Sequence, residues 1–260
     1  MTDLPQIERI DAPSVGEFEA RYVRRSRPVI LRGAIDEWPA LRRWSAQELK
    51  ARFGDREVPV VRARGGTHYD VAGGMHYEAI RLGEYIERLT GGQPLDLYVL
   101  FRVHEVLPEL FDDIVVPPYC RDAGWLRSKF WFAAPGTRGP LHRDLPENLY
   151  AQVSGHKRFL LLDRRCTRMV YRHSFFSGVP NFSPVDAEAP DLERYPLFRD
   201  APLQVAELAP GELLYIPSFW WHQAAAGGVS ISINLWWVRG PMVAVVRAAE
   251  LFMRWRGLRL

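Results

Sequence analysis

Two residues in the segment LHRDL, His142 and Asp144, stand two apart. Alternate residues of a β-strand share a face, so this imidazole and carboxylate would project side by side. Together they supply two ligands of a 2-His-1-carboxylate site, which holds Fe(II) on one face and leaves other positions open. The third ligand must come from elsewhere. His222, directly after the apolar and aromatic run LLYIPSFWW, is the best-placed candidate. A lone H-x-D pair is a weak signal. The other histidines, His68, His76, His104, His156 and His173, have no H-x-D or H-x-E partner and read as structural or exposed. Of these, His76 and His173 are the candidates for a substrate mouth.

Charge gives a second clue. Lys157 follows the tight turn SGH and begins the apolar run RFLLLD, where alternation puts it on the face of Phe159 and Leu161. On an interior face its ammonium would need an anionic partner, and a dicarboxylate would supply one. In VSISINLW, Val229, Ile231, Ile233 and Leu235 share one face, while Ser230, Ser232, Asn234 and Trp236 share the other. Solvent is the default for a polar face of an antiparallel sheet. Trp236 favours a pocket, because the body of an indole prefers burial.

These residues need a scaffold. Ser14 with Glu17, and Ser45 with Glu48, are spaced as capping boxes, and the second helix should stop near Gly54. PVILRG (Pro28–Gly33) and EVPVVRAR (Glu57–Arg64) read as strands, and Leu82–Leu89 as a helix. From about Asp96 strands dominate: LYVLFRV, KFWFAAP, LHRDL, NLYAQVS, RFLLLD, LQVAEL, ELLYIP, WHQAAA and VSISINLWWV, with a short helix at Leu107–Ile114. Short strands between Gly/Pro turns point to a double-sheet jelly roll or barrel with flanking helices. Arg164–Asp200 reads as a long loop and a candidate substrate wall. Pro241 opens a C-terminal helix to about Arg256. The expected division is an N-terminal α/β extension over residues 1–95, a jelly-roll catalytic core over 96–240 and the helix over 241–260.

Composition narrows the classes. The chain has 260 residues, 47% hydrophobic and 25% charged, which excludes a disordered or fibrous protein. No window approaches 18 uncharged apolar residues, and MTDLPQIERI has no signal-peptide pattern. Cys120 and Cys166 are too few for a disulfide framework or a Cys-based zinc site, so the expected compartment is the reducing cytoplasm. With 34 basic and 31 acidic residues, charge alone does not argue for a nucleic-acid partner.

The segments Leu141–Leu162, Pro210–Gln223 and SISINLWW resemble the JmjC or cupin-like 2-oxoglutarate oxygenases, most of all the asparaginyl-hydroxylase type typified by factor inhibiting HIF. The resemblance runs from PVILRG and EWP (Glu37–Pro39) to NLWW (Asn234–Trp237). It implies a double-stranded β-helix and the use of Fe(II), 2-oxoglutarate and O2. His142, Asp144 and His222 correspond to the iron ligands. Lys157, fifteen residues after the first ligand, corresponds to the partner of the far carboxylate of 2-oxoglutarate. Asn148 and Asn234 match asparagines of the cosubstrate pocket, Tyr98 a tyrosine that binds the same carboxylate, and Trp236 a pocket wall.

The implied reaction is hydroxylation of a side chain in a protein or peptide. Hydroxylation of a tRNA base or a small molecule, N-methyl demethylation and a non-catalytic binding role are the rivals; an intact triad with Lys157 argues against the last. Two departures stand out. Gly139 replaces a cosubstrate-binding threonine, a loss of roughly 0.5–1.5 kcal/mol for one hydroxyl donor, with Tyr98, Thr137 or a water as candidates to replace it. The run AAAGG after His222 is compact, so the substrate rim differs. The C-terminal helix, with Val243, Val246, Leu251, Phe252 and Trp255, either packs on its own core or forms a homodimer contact.

Overall fold

A computed structural model describes residues 4–62, 77–91, 95–120, 126–240 and 243–244. The strands are β1 (Arg9–Asp11), β2 (Val29–Arg32), β3 (Glu57–Arg62), β4 (Tyr77–Arg81), β5 (Leu97–Arg102), β6 (Leu126–Ala133) and β7 (His142–Arg143). They continue with β8 (Glu147–Ser154), β9 (Lys157–Leu162), β10 (Gln204–Leu208), β11 (Leu213–Ile216), β12 (Trp221–Ala226) and β13 (Ser230–Trp237). A large sheet runs β1-β2-β11-β8-β13-β6-β5-β3-β4, and a small one runs β10-β9-β12-β7. The pair β1–β2 is parallel. The jelly-roll expectation holds.

Alternation explains how the sheets pack. Along β13, Ile231, Ile233 and Leu235 face an apolar core on the outer side of the large sheet. Leu149, Ala151 and Val153 of β8, and Phe130 and Phe132 of β6, join them. The helices Ala46–Phe53 and Leu82–Thr90 cover that core with Leu49, Phe53, Leu82, Tyr85, Ile86 and Leu89. Residues of opposite parity, including Tyr150, Phe159, Leu161 and Leu214, meet between the sheets. A third cluster around Leu160, Leu162 and Trp221 lies outside the small sheet, under Val170, Val185, Tyr195 and Phe198 of the long connection. Strands from before and after residue 95 thus share one sheet and one core.

Ser14 and Glu17 form the full reciprocal capping box. Ser45 caps its helix by accepting from the Glu48 N–H. The helix expected over Leu107–Ile114 is instead an α-turn at Val103–Val106 followed by a 3-10 turn at Pro108–Asp113, with Pro108 at the start. This stretch carries the buried carboxylate of Asp113, which accepts from Trp44 Nε1 at 2.9 Å, Arg43 at 2.9 Å and Arg52 at 2.6 Å. One carboxylate thereby ties the Ala40–Arg43 and Ala46–Phe53 helices to the Pro108–Asp113 turn. Strands β1 and β4 carried no clear sequence pattern: both are short and mostly exposed. The long connection from Arg164 holds three 3-10 turns, at Arg164–Arg168, Phe175–Ser177 and Pro196–Asp200. No helix among the described residues is long and apolar enough to cross a membrane. His68, His76 and nearly all of the expected C-terminal helix, with its homodimer contact, lie outside the described residues.

Candidate metal centre

The triad is assembled by strand register. β12 pairs with β7 so that His222 lies opposite His142. Asp144 follows β7 directly. Ligand atoms of His142, Asp144 and His222 all lie within 4.8 Å of one another. His142 Nε2 is 4.0 Å from Asp144 Oδ1, and His222 Nε2 is 3.7 Å from Asp144 Oδ2.

The imidazoles are oriented by the backbone. His142 Nδ1 lies 2.9 Å from the Pro140 carbonyl, and His222 Nδ1 lies 3.0 Å from the Trp220 carbonyl. A ring nitrogen facing a carbonyl carries the proton, which leaves each Nε2 lone pair free for a cation. Burial, then the neighbouring His142, push His222 down to about 4, against the opposing pull of Asp144. It is therefore neutral at pH 7 and able to ligate. Asp144 Oδ2 is buried with no hydrogen-bond partner. Two imidazole nitrogens and an orphaned carboxylate oxygen fit a divalent metal such as Fe(II).

One short turn braces two of these residues. Phe219 N–H donates to the Asp144 carbonyl at 2.7 Å, and the adjacent Trp220 carbonyl receives His222 Nδ1. Phe219 has a φ of 63°, which is unusual for a residue with a side chain. Glu147 holds the turn by accepting from Ser218 N–H at 3.0 Å and Tyr215 Oη at 2.7 Å. Desolvation raises the Glu147 carboxyl above its ordinary value.

The triad opens into a cavity of about 150 Å³ between the sheets. Tyr98, Asn148, Lys157, Asn234 and Trp236 all line it, so the structure gathers the candidate metal and cosubstrate residues in one place. Lys157 is 2% exposed. Its ammonium donates to Tyr150 Oη at 2.7 Å, Ser232 Oγ at 3.2 Å and Tyr98 Oη at 3.5 Å. No carboxylate pairs with it among the described residues, and burial lowers its pKa to about 7. Asn234 accepts from Trp131 Nε1 at 2.8 Å, which leaves its buried Nδ2 without a partner. Trp236 Nε1 is likewise a buried donor without a partner. A buried cation and two orphaned donors fit a dianionic, oxygen-rich ligand.

The polar face of β13 turns inward rather than meeting solvent: Asn234 and Trp236 line the cavity, and Ser230 and Ser232 are fully buried beside it. The second sheet covers it, which overrides the single-strand default. Gly139 also lines the cavity, and Thr137 does not replace its missing donor, because the Thr137 hydroxyl donates to the Ala134 carbonyl at 2.7 Å. His104 and His156 are exposed, and His173 is half-buried.

Sequence reasoning missed four contributors. Tyr150 lies two residues beyond Asn148, so strand alternation could have found it; Ser232 stands on the polar face already read in β13, but its bond to Lys157 does not show in the sequence. Trp131 is marked by the same alternation in β6. Phe182 carries no sequence signal. It comes from the long connection, lines the cavity and stacks on His142 at 5.6 Å and 16°.

A two-sheet jelly roll with a His/Asp/His cluster at the mouth of its internal cavity is the architecture of a metal-dependent cupin. Residues 15–241 match the Cupin-like domain family, and the chain belongs to it. It is 34% identical to Lysine-specific demethylase 8 of Xenopus tropicalis over 89% of this chain and 52% of that protein. It is 30% identical to the bifunctional peptidase and (3S)-lysyl hydroxylase JMJD7 of Homo sapiens over 86% of this chain and 81% of that protein. Similarity to the human tRNA wybutosine-synthesizing protein 5 is 24% over 90% of this chain and 78% of that protein. The chain spans about half the length of the first of these relatives. JmjC members of the family are 2-oxoglutarate-dependent oxygenases that use Fe(II), 2-oxoglutarate and O2.

Proposed function

We propose that this chain is an Fe(II)- and 2-oxoglutarate-dependent oxygenase unit that hydroxylates an amino-acid side chain of a protein or peptide. One observation carries the reading: the triad and the buried, carboxylate-free ammonium of Lys157 share a single cavity. A passive binding module needs neither. His222 pairs with Leu161 and Ala226 with Lys157 across β9 and β12. The two positions are therefore four residues apart, roughly 13 Å at ~3.3 Å per residue. A short dicarboxylate suits that span between a lysine and a metal, each reached by a side chain.

His142, Asp144 and His222 would hold the metal through Nε2, a carboxylate oxygen and Nε2. Lys157 would hold the far carboxylate by a charge-assisted bond, with Tyr98, Tyr150 and Ser232 fixing the ammonium. Asn234 Nδ2 and Trp236 Nε1 offer further donors to the cosubstrate. Fe(II), when bound, supplies the chemistry that decarboxylates 2-oxoglutarate to succinate and hydroxylates a C–H bond. The apolar walls, including Leu100, Phe159 and Ala224, exclude bulk water from that reaction. The relatives at 34% and 30% identity bear names for action on lysine in proteins, which supports a protein substrate. Hydroxylation at carbon, as in the asparaginyl-hydroxylase type that the sequence resembles, is the outcome we favour.

The test is succinate release from 2-oxoglutarate by protein loaded anaerobically with Fe(II), then exposed to O2 with fractionated peptides. Turnover stimulated by one fraction, with a product 16 Da heavier, is the expected result. Formaldehyde release with loss of a methyl group would replace hydroxylation by demethylation. Failure to bind either Fe(II) or 2-oxoglutarate in titrations would sink the oxygenase reading.

A further inference from the structure

Arg143 separates two of the triad residues, and its side chain takes the opposite face of the strand. Its guanidinium rests over the rings of Trp221 at 5.2 Å and Phe219 at 5.3 Å. It is half-buried, yet only its Nε has an acceptor, Asn181 Oδ1 at 3.2 Å. Among the described residues neither terminal NH2 group has an acceptor and no carboxylate pairs with it. Arg172 is held by the same loop, one position from the Asn181 that receives Arg143. Arg172 donates to the Pro180 carbonyl at 3.2 Å and has no carboxylate partner among the described residues. Two guanidiniums held by the adjacent residues Asn181 and Pro180, one of them pinned on an aromatic shelf, form an anion-recognition pair.

The surrounding loop extends this surface. The His173 N–H donates to the Phe182 carbonyl at 3.0 Å, which closes residues 173–182 into a compact loop. Its far end is fastened to the metal centre: Arg143 N–H donates to the Asn181 carbonyl at 2.9 Å, and Phe182 stacks on His142. On its crown, Phe175 and Phe176 are 71% and 93% exposed and meet edge to face at 5.8 Å. Two adjacent exposed phenyl rings are unusual on a surface without a partner.

We propose that Arg143 and Arg172, with Phe175 and Phe176 on the same loop, form a docking surface for an acidic, partly apolar segment of the protein substrate. The proposal rests on the reading of the chain as an oxygenase of protein side chains. It specifies the substrate class: a chain with carboxylate side chains flanking the residue delivered to the triad. Charge complementarity selects the sign of the partner. The recessed, shelf-mounted geometry of Arg143 suits a carboxylate on a flexible side chain better than the rigid phosphate track of a nucleic acid, which needs an extended basic face. The relatives named for action on protein lysine are also more similar than the relative named for tRNA, at 34% and 30% against 24%.

The experiment uses the full chain and fluorescence anisotropy with three labelled probes. These are a 15-residue peptide of Asp, Glu, Leu and Gly, the same peptide with every acid replaced by its amide, and a 15-nucleotide single-stranded RNA. The acidic peptide should bind at least tenfold more tightly than its amide counterpart. Arg143→Gln and Arg172→Gln should each weaken it about tenfold, the loss of one charge-assisted contact. Phe175→Ser/Phe176→Ser should weaken both peptides. Arg172 is remote from the metal ligands in sequence, so Arg172→Gln and the phenylalanine pair decide the matter if Arg143→Gln fails to fold. Equal binding of the two peptides, no binding, or no effect of these variants overturns the proposal. Tighter binding of RNA with the same arginine dependence overturns it in favour of a nucleic-acid substrate. Mn(II) and 2-oxoglutarate titrations of the unmodified chain test the oxygenase reading separately.

Discussion

Binding of 2-oxoglutarate should draw in a proton, and the size of that linkage follows from Lys157. Its ammonium is fully buried among hydroxyls, and burial brings its pKa to about 7. A carboxylate delivered to Nζ favours the charged form, so the complex keeps the proton well above pH 7. Affinity should therefore be constant below pH 7 and fall as pH rises through it, in proportion to 1 + 10^(pH−7). Between pH 6 and pH 8 the apparent Kd should rise about tenfold, or ~1.4 kcal/mol. Calorimetric titration of metal-loaded, oxygen-free protein, in buffers of different ionisation enthalpy, measures both quantities. Uptake should approach ~0.9 proton per ligand at pH 8 and ~0.1 at pH 6.

The same group sets the sign of a stability effect. Its folded pKa is below its unfolded value, so between pH 7 and about 10.5 the unfolded chain binds more protons. The ligand-free protein should gain about 2 kcal/mol from this group between pH 7 and pH 9, a gain absent from Lys157→Met. Lys157→Met should also lose 2-oxoglutarate binding. A Kd that is flat from pH 6 to pH 8.5, with no net proton uptake, would refute the assignment of Lys157 as the anchor.

Three further outcomes follow from individual contacts. Trp131→Phe frees Asn234 Oδ1, so the amide can turn; 2-oxoglutarate affinity should fall about three- to tenfold with little change in Tm, by the same calorimetry. Asp113→Ala strips the buried Trp44 N–H and two arginines of their acceptor, and urea unfolding should show a loss of about 3 kcal/mol without a change in metal affinity. Gly155 has a φ of 70°, and an added Cβ would lie 1.9 Å from the Val229 carbonyl oxygen. Gly155→Ala should lower stability by several kcal/mol and misplace Lys157 two residues on, which a thermal melt with and without 2-oxoglutarate would register.

Much of this site was legible because it is built on strands. A two-residue period put His142 beside Asp144 and turned Lys157 inward, and the same period separated Ile231 and Ile233 from Ser232 and Asn234. Strand periodicity says which side a residue takes but not what lies there, so the cavity behind β13 could not be read from one segment. Contributors from irregular backbone were invisible for a related reason. Phe182, Asn181 and the Phe219 turn reach the centre through tertiary contacts that leave no period in the sequence. The Pro108–Asp113 segment reads as an α-helix in sequence because its apolar spacing fits an α-helix and a 3-10 turn equally at that length.

The position of β13 has a consequence for how the molecule comes into being. It lies between β6 and β8, and pairs with both along most of its length. As the chain is synthesised, the two halves of the large sheet confront each other with a vacant slot until residues 230–237 emerge. Those residues also deliver Ser232 to the ammonium of Lys157 and Asn234 to the cavity wall. The step that closes the sheet is thus the step that completes the pocket, so a nascent chain halted before residue 230 should have neither. Closure of the large sheet and completion of the pocket therefore depend on the same strand.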